Sequence, residues 1–312
     1  MKIAVYSEVV DACFQYRILF PLQTLAEKGL CEFHTYTTPF QDKGFKPALA
    51  IFQKHVDPQY IELAKQLRAD GVKIVFEIDD NFCAMDPTNM SNLVCSTNRE
   101  TTRRHFEAYK SLGMDKYFPQ YKHLLEHDAD WVVNQAESNF GLLLQFMKMA
   151  DATQVSTVAL RTAYSGYGVK NLMVLPNLEK ESEWVGVVKA PIIGNVIIGW
   201  AGSFSHLYTD LKPLVNPITH VLKERPNVKF KILGLPPAVE LFPDAPKEQI
   251  ETSDWTSWDA YKEAVAEFDI TLAPSYASRK FAQGKSPIRV YQSWMKSNPV
   301  VASELTYGDV VN

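Results

Sequence analysis

Lys285 and Ser286 stand directly before Pro287, at the head of an apolar-periodic run that carries Ile288, Val290, Tyr291, Trp294 and Met295. Proline has no N–H to donate, so it suits the first turn of a helix, where that donor has no intrahelical partner. Asn298-Pro299 closes the helix. Upstream, the apolar run 268–273 reads as a strand that stops at Pro274; downstream, Val300, Val301 and Ala302 open another. The order strand, loop, helix, strand brings a cation, a hydroxyl and free backbone N–H groups to a helix N-terminus at the C-terminal edge of a parallel sheet. That is where α/β folds hold phosphate.

The elements that must position these residues alternate along the whole chain. Residues 2–6, 31–36, 48–52, 72–78, 130–134 and 172–175 read as strands, and 17–28, 60–69, 101–112, 117–127 and 137–149 as helices. The segment 179–189 is charged and without period, a linker pattern. A second set then begins with strands at 195–200 and 228–233 and helices at 210–224 and 258–268. Alternation at this spacing implies βαβ units and parallel sheets. The expected fold class is α/β, with two Rossmann-like domains, 1–185 and 186–312. A length of 312 residues agrees with two domains at roughly 150 residues each.

Composition narrows the function classes. Hydrophobic residues make up 46% and charged residues 22%, ordinary for a globular chain, and the net charge of −4 argues against a dedicated nucleic-acid binder. The four cysteines, Cys13, Cys31, Cys83 and Cys95, form no C-x-x-C pair, so neither a disulfide framework nor a zinc site is expected. No apolar run approaches the ~20 residues that span a bilayer. The opening MKIAVYSEVV reads as a first strand rather than a signal peptide, which leads to a cytoplasmic expectation. No P-loop, no G-x-G-x-x-G and no Ser-His-Asp or Cys-His spacing is present.

Taken in order, several segments resemble the GT-B glycosyltransferases, in particular the retaining, nucleotide-sugar-dependent group similar to glycosyltransferase family 4. They are YRILFPLQTLAEKG, VFEIDDNF, LPNLEKE, IIGWAGSFSHLYTDLKPL, and FDITLAP followed by GKSPIRVYQSW. The resemblance implies two Rossmann-like domains across a cleft, the N-terminal one on the acceptor side and the C-terminal one binding the donor. It implies a transferase that moves a sugar from a nucleoside-diphosphate donor to an acceptor hydroxyl, with retention, without metal and without a further cofactor. By resemblance Lys285 and Ser286 meet the donor diphosphate, Arg289 adds charge there, and Gly202 and Ser203 present backbone N–H groups. Gln292 stands where the family has a glutamate for the ribose hydroxyls, and Gly284 where it has the first acid of a glutamate pair. The second domain is short beside the family, which continues past the last strand with more α/β structure and a terminal helix.

The remaining polar residues divide between chemistry and ordinary structure. Glu77, Asp79 and Asp80 end a buried strand. As Asp-x-Asp metal ligands they would need one Rossmann-like domain rather than two, so Asp79 and Asp80 are expected in acceptor or sugar contact, or as loop caps around Asn81. His206 follows the phosphate-side turn, as a donor contact or a cap. Arg17 opens the first helix and can reach a phosphate or bridge at the surface. Asn177 suits turn chemistry or a ligand, and Trp255 and Trp258 core packing or base stacking. Arg99, Arg103, Arg104, Lys110, Lys116 and Lys122, with aromatics between them, read as a solvated helical hairpin before they read as a surface for an anionic partner such as DNA. The expected partners are therefore the donor and a glycan or other hydroxyl acceptor. Two other functions stay open: a GT-B-like protein that binds nucleotide or glycan without turnover, and a sugar-nucleotide epimerase of the same arrangement.

Overall fold

The computed structural model describes residues 1–8, 12–40, 42–116, 119–189, 194–203, 206–234, 236–254, 257–276 and 278–311. It divides into two compact units, Met1–Leu178 with Gly284–Ser286, and Glu179–Gln283 with the chain from Pro287 onward.

In the first unit, β1 (Lys2–Tyr6), β2 (Glu32–Tyr36), β3 (Leu49–Gln53), β4 (Lys73–Ile78), β5 (Ala152–Val155) and β6 (Leu172–Val174) form one sheet. Its order is β2-β1-β3-β4-β5-β6 and every pair is parallel. Side chains alternate between faces with period two. Ala4, Tyr6, Ala50, Phe52, Ile74, Phe76 and Ile78 pack against helices Pro58–Ala69 and Ala129–Met149. Ile3, Val5, Ile51 and Val75 pack on the other face against Phe14, Ile18 and Leu22. On that second face the next positions toward the strand ends are Ser7, Gln53 and Glu77, all buried and polar.

Arg17 serves that polar row. It lies in a π-helical turn, Gln15–Leu19, where Tyr16, Arg17 and Ile18 are all buried. Arg17 Nε donates to Glu77 Oε1 at 2.6 Å, and Nη1 donates to Asn177 Oδ1 at 2.9 Å and to the Leu175 carbonyl. Ser7 Oγ donates to Gln53 Oε1 at 2.9 Å. Burial pushes the Glu77 carboxyl up, and Arg17 is the main influence pulling it back. Just past β3, Lys54 takes φ +55°, a left-handed conformation that costs a side chain with a Cβ. Its N–H donates to the Glu77 carbonyl at 3.0 Å, and its ammonium reaches Asp79 at 2.5 Å and Asp80 at 3.2 Å.

In the second unit, β7 (Val196–Ala201), β8 (Val228–Leu233), β9 (Ile250–Ser253), β10 (Ile270–Ala273) and β11 (Val300–Ala302) are parallel in the order β11-β10-β7-β8-β9. Trp200, Phe230, Ile232 and Leu272 meet Leu211, Ile218 and Leu222 on one face. Ala201 and Leu233 meet Tyr261, Ala264, Val265 and Phe268 on the other.

Several elements differ from the sequence expectation. Residues 130–134 are not a strand but the start of helix Ala129–Met149. Asp128 caps it by accepting from the Trp131 N–H at 2.7 Å, and Val132, Ala136, Phe140, Leu143 and Met147 give it a helical stripe. The strand that pairs with β4 comes afterwards, as β5. The expected helix 210–224 is broken into a π turn, Leu207–Leu211, a 3-10 turn, Lys212–Leu214, and an α-helix, Val215–Glu224. Pro213 is the cause, since it lacks an N–H and crowds the preceding turn. The described part of helix 117–127 is 3-10 over Pro119–Glu126; Tyr117 and Phe118 lie outside the described residues. The segment 179–189 is not a free linker, because Trp184 is 2% exposed in the second core. Lys296 Nζ holds the carbonyls of Trp184 and Val187, each at 2.7 Å.

Two outcomes test these contacts. Arg17→Ala leaves Glu77 buried without its cation and costs about 3–5 kcal/mol in urea denaturation. The folded Glu77 carboxyl is raised, so the stability it contributes is present at acid pH and lost as pH rises. The variant's deficit against wild type therefore shrinks from pH 8 to pH 5, and a pH-independent deficit would contradict the account. At position 54, Lys54→Gly is more stable than Lys54→Ala by about 1–2 kcal/mol, reversing the usual preference for alanine.

Candidate functional site

The second unit builds its polar cluster at the end of β7. The Gly202 N–H donates to the Leu233 carbonyl at 3.0 Å. A Cβ on Gly202 would lie 2.4 Å from the Trp200 ring, so the chain can pass the indole only as glycine. Ser203 is exposed, and its carbonyl accepts from the His206 N–H at 2.9 Å. The π turn then places Asp210, 4% exposed, against the same layer. Asp210 Oδ2 accepts from Arg289 Nη1 at 2.9 Å and lies 3.4 Å from His206 Nδ1, while Oδ1 accepts from the Thr209 hydroxyl at 3.0 Å. The Arg289 guanidinium also sits 5.9 Å from the Trp200 ring centre, a cation–π distance.

The electrostatics of this group are one-sided. Burial would raise the Asp210 carboxyl, but Arg289 and His206 carry it down to about 2. Burial would lower the Arg289 guanidinium, yet the Tyr307 and Tyr261 phenols and Asp210 together raise it. Both groups are therefore charged throughout the neutral range.

One turn further on helix Ile288–Trp294, Gln292 is buried. Both ends of its amide are engaged: Nε2 donates to Glu179 Oε1 at 2.7 Å, and Oε1 accepts from the Tyr261 hydroxyl at 2.6 Å. Glu179 Oε2 accepts from Trp184 Nε1 at 3.0 Å. Burial pushes the Glu179 carboxyl up against these two donors. Asp210 and Glu179 were not among the sequence candidates. The available signal was their position, four residues after His206 and two after Asn177, inside quoted segments.

In the first unit, Gly284–Ser286 packs with the end of β4. Lys285 Nζ is 3.5 Å from Asp80 Oδ1, so Lys285, Lys54, Asp79 and Asp80 form one charge cluster. A Cβ on Gly284 would be 3.2 Å from Asn81 Cβ and 3.3 Å from Leu160, a tight fit for any side chain. The Gly284 carbonyl accepts from the Thr157 hydroxyl at 3.3 Å. Ser286 Oγ is buried with no hydrogen-bond partner among the described residues. The helix after this segment, Ile288–Trp294, has seven residues and Pro287 at its N-cap rather than inside it.

Other candidates take structural places. Arg17 is 3% exposed and bound to Glu77, and Asn177 accepts from it. Trp258 stacks on Tyr261 at 5.4 Å and meets Trp184 edge-on, which is core packing; Trp255 lies outside the described residues. Arg99 pairs with Glu137 and Arg103 with Asp130, each at 2.5 Å, so the helical hairpin carries solvated ion pairs. A cavity of about 430 Å³ in the first unit is lined by Tyr6, Tyr36, Phe45, Lys43 and Lys46 among others. One of about 230 Å³ in the second is walled by Leu233, Ser253, Ala260 and Tyr261. Among the described residues, no group of three His, Cys, Asp or Glu side chains is placed to hold a metal ion, and no helix is long and apolar enough to cross a membrane.

No protein-family model matches the chain, and no curated protein matches it in sequence. Solved structures do match. Sucrose-phosphate synthase from Thermosynechococcus elongatus aligns with a TM-score of 0.57 and 10% identity, over 98% of this chain and 83% of that one. An alpha-glucosyltransferase in complex with UDP-glucose and DNA containing an abasic site aligns at 0.55 and 10% identity, over 98% and 80%. UDP-GlcNAc 2-epimerase from Methanocaldococcus jannaschii aligns at 0.51 and 10% identity, over 99% and 87%. The two parallel-sheet units therefore make up a GT-B, glycosyltransferase-like fold.

Proposed function

We propose that the chain is a cytoplasmic, metal-independent glycosyltransferase that moves a sugar from a nucleoside-diphosphate donor to an acceptor hydroxyl with retention. The observation that carries this reading is Arg289, fixed at the second unit's sheet by a buried carboxylate at 2.9 Å. Its guanidinium has five N–H donors, and Nη1 is the one bound to Asp210. As the glycosidic bond to phosphate breaks, negative charge builds on the departing diphosphate. A cation already oriented, with no reorganisation left to make, stabilises that charge more than a mobile one would.

Asp210 is the positioning residue of this group, and His206 shares its carboxylate as a donor contact. Ser203 and Ser286 supply backbone N–H groups, Gly202 lets the turn pass the Trp200 ring, and Lys285 adds a second cation. Asp79 and Asp80 serve the acceptor side, with Lys54 as their counter-charge. Arg17 and Gln292 act by holding their neighbours rather than by touching the donor. A glycan or other hydroxyl compound suits the acceptor better than a nucleic acid, because Arg99 and Arg103 are already paired with carboxylates. A second reading draws on the fold likeness to a UDP-GlcNAc 2-epimerase: turnover of a nucleotide sugar with no acceptor, which product analysis separates from transfer.

A thermal-shift panel of UDP, GDP, ADP, CDP and dTDP, each with and without a divalent cation, tests the donor site. One nucleotide stabilises the protein independently of metal, by about 2.7 kcal/mol at a hundredfold excess over Kd. Arg289→Met abolishes the shift. No shift with any of the five would refute the reading. With the nucleotide known, Lys285→Ala lowers kcat about tenfold or more with Tm unchanged, as loss of one transition-state charge contact requires; an unchanged kcat removes Lys285 from the chemistry.

A further inference from the structure

Glu179 combines features that ordinary packing does not require. Each of its oxygens is held by one donor, Oε1 by Gln292 Nε2 at 2.7 Å and Oε2 by Trp184 Nε1 at 3.0 Å. Those donors are themselves fixed. Trp184 is 2% exposed, and the Tyr261 hydroxyl donates to Gln292 Oε1 at 2.6 Å, which turns the amide N–H toward the carboxylate. Burial holds the Tyr261 phenol far above its ordinary value, so it remains a donor. Glu179 is half-buried while its donors are buried. A carboxylate oxygen has two lone-pair positions, and one donor on each leaves an acceptor position on each.

Two parallel acceptor positions on a rigid carboxylate fit two adjacent O–H donors. A phosphate would be repelled there, and a single hydroxyl would use half of the site. Gln292 lies three residues after Arg289, which puts their side chains on one face of the helix about 5–6 Å apart. A ligand whose diphosphate meets Arg289 would present the next part of its structure to the Gln292–Glu179 turn. In a nucleoside diphosphate that part is the ribose, with hydroxyls on adjacent carbons.

Resting on the nucleotide-sugar reading, we infer that Glu179 binds the vicinal diol of the donor's ribose, and that Gln292, Trp184 and Tyr261 hold it in place for that purpose. The carboxylate comes from the segment 179–189, not from the helix that carries Arg289.

The test compares the ribonucleoside diphosphate selected by the five-nucleotide panel with its 2′-deoxy counterpart by titration calorimetry. Wild type binds the ribo form about tenfold or more tightly, the worth of a hydrogen bond to a charged acceptor. Glu179→Gln, folded as judged by its Tm, loses that discrimination while still binding the deoxy form as wild type does. If Glu179→Gln does not fold, Tyr261→Phe, which releases the Gln292 amide, narrows the discrimination instead. Wild type that does not discriminate, a folded Glu179→Gln that discriminates as wild type does, or a panel that selects dTDP overturns the inference and leaves the donor site standing. Binding of no diphosphate removes both.

Discussion

Every strand pair among the described residues is parallel, and that constraint shapes the polar groups around both sheets. A parallel sheet needs helices on both faces, so most side chains along its strands must be apolar or internally paired. Charge can approach the open surface only where strands end. In the first unit the faces run from Ile3, Val5 and Ile51 to Ser7, Gln53 and Glu77 within a few residues. In the second, β7 runs from Val196 and Ile198 to Trp200 and then to the Gly202-Ser203 turn. The functional candidates gather at strand ends because the rest of each strand leaves them no room.

The two units solve the buried-charge problem in the same way. Each places an arginine from a helix against a carboxylate beside the sheet, Arg17 with Glu77 and Arg289 with Asp210. Isolated, any of these four charges would be costly to bury. The pairs differ in what remains available. Arg17 divides its donors among Glu77, Asn177 and the Leu175 carbonyl, which ties helix, sheet and exit strand together. Arg289 is less enclosed, with 15% of its side chain exposed. One arginine is a fastening on all sides, and the other keeps part of its side chain at the surface.

Much of this was legible in the sequence. The apolar runs of β1, β4, β7, β8 and β10, the glycine at the end of the first helix and the order of the quoted segments point to an α/β chain with two Rossmann-like halves. What escaped depended on partners distant in sequence. Residues 130–134 look like a strand because Trp131, Val132 and Val133 are adjacent, and only Asp128 and the later apolar stripe mark a helix. β9, with Glu251, Thr252 and Ser253, is too polar to announce itself at an edge. Trp184 sits among glutamates, so the segment 179–189 reads as exposed although its indole is buried. Arg17 and Gln292 were recognisable as polar residues in telling places, but nothing local says that their side chains turn inward to Glu77 and Glu179.

The contact between Gln292 and Glu179 also constrains how the chain can change over evolutionary time. An amide at 292 can donate to the carboxylate; a glutamate there could not, and it would bring two acids together so that one had to keep a proton. Each position therefore limits what the other accepts, although 113 positions separate them. Descendants that gain an acid at 292 are expected to have exchanged Glu179 as well. The two sites form an epistatic pair, and lineages should show either this amide–acid combination or a jointly altered one, rarely the halfway step.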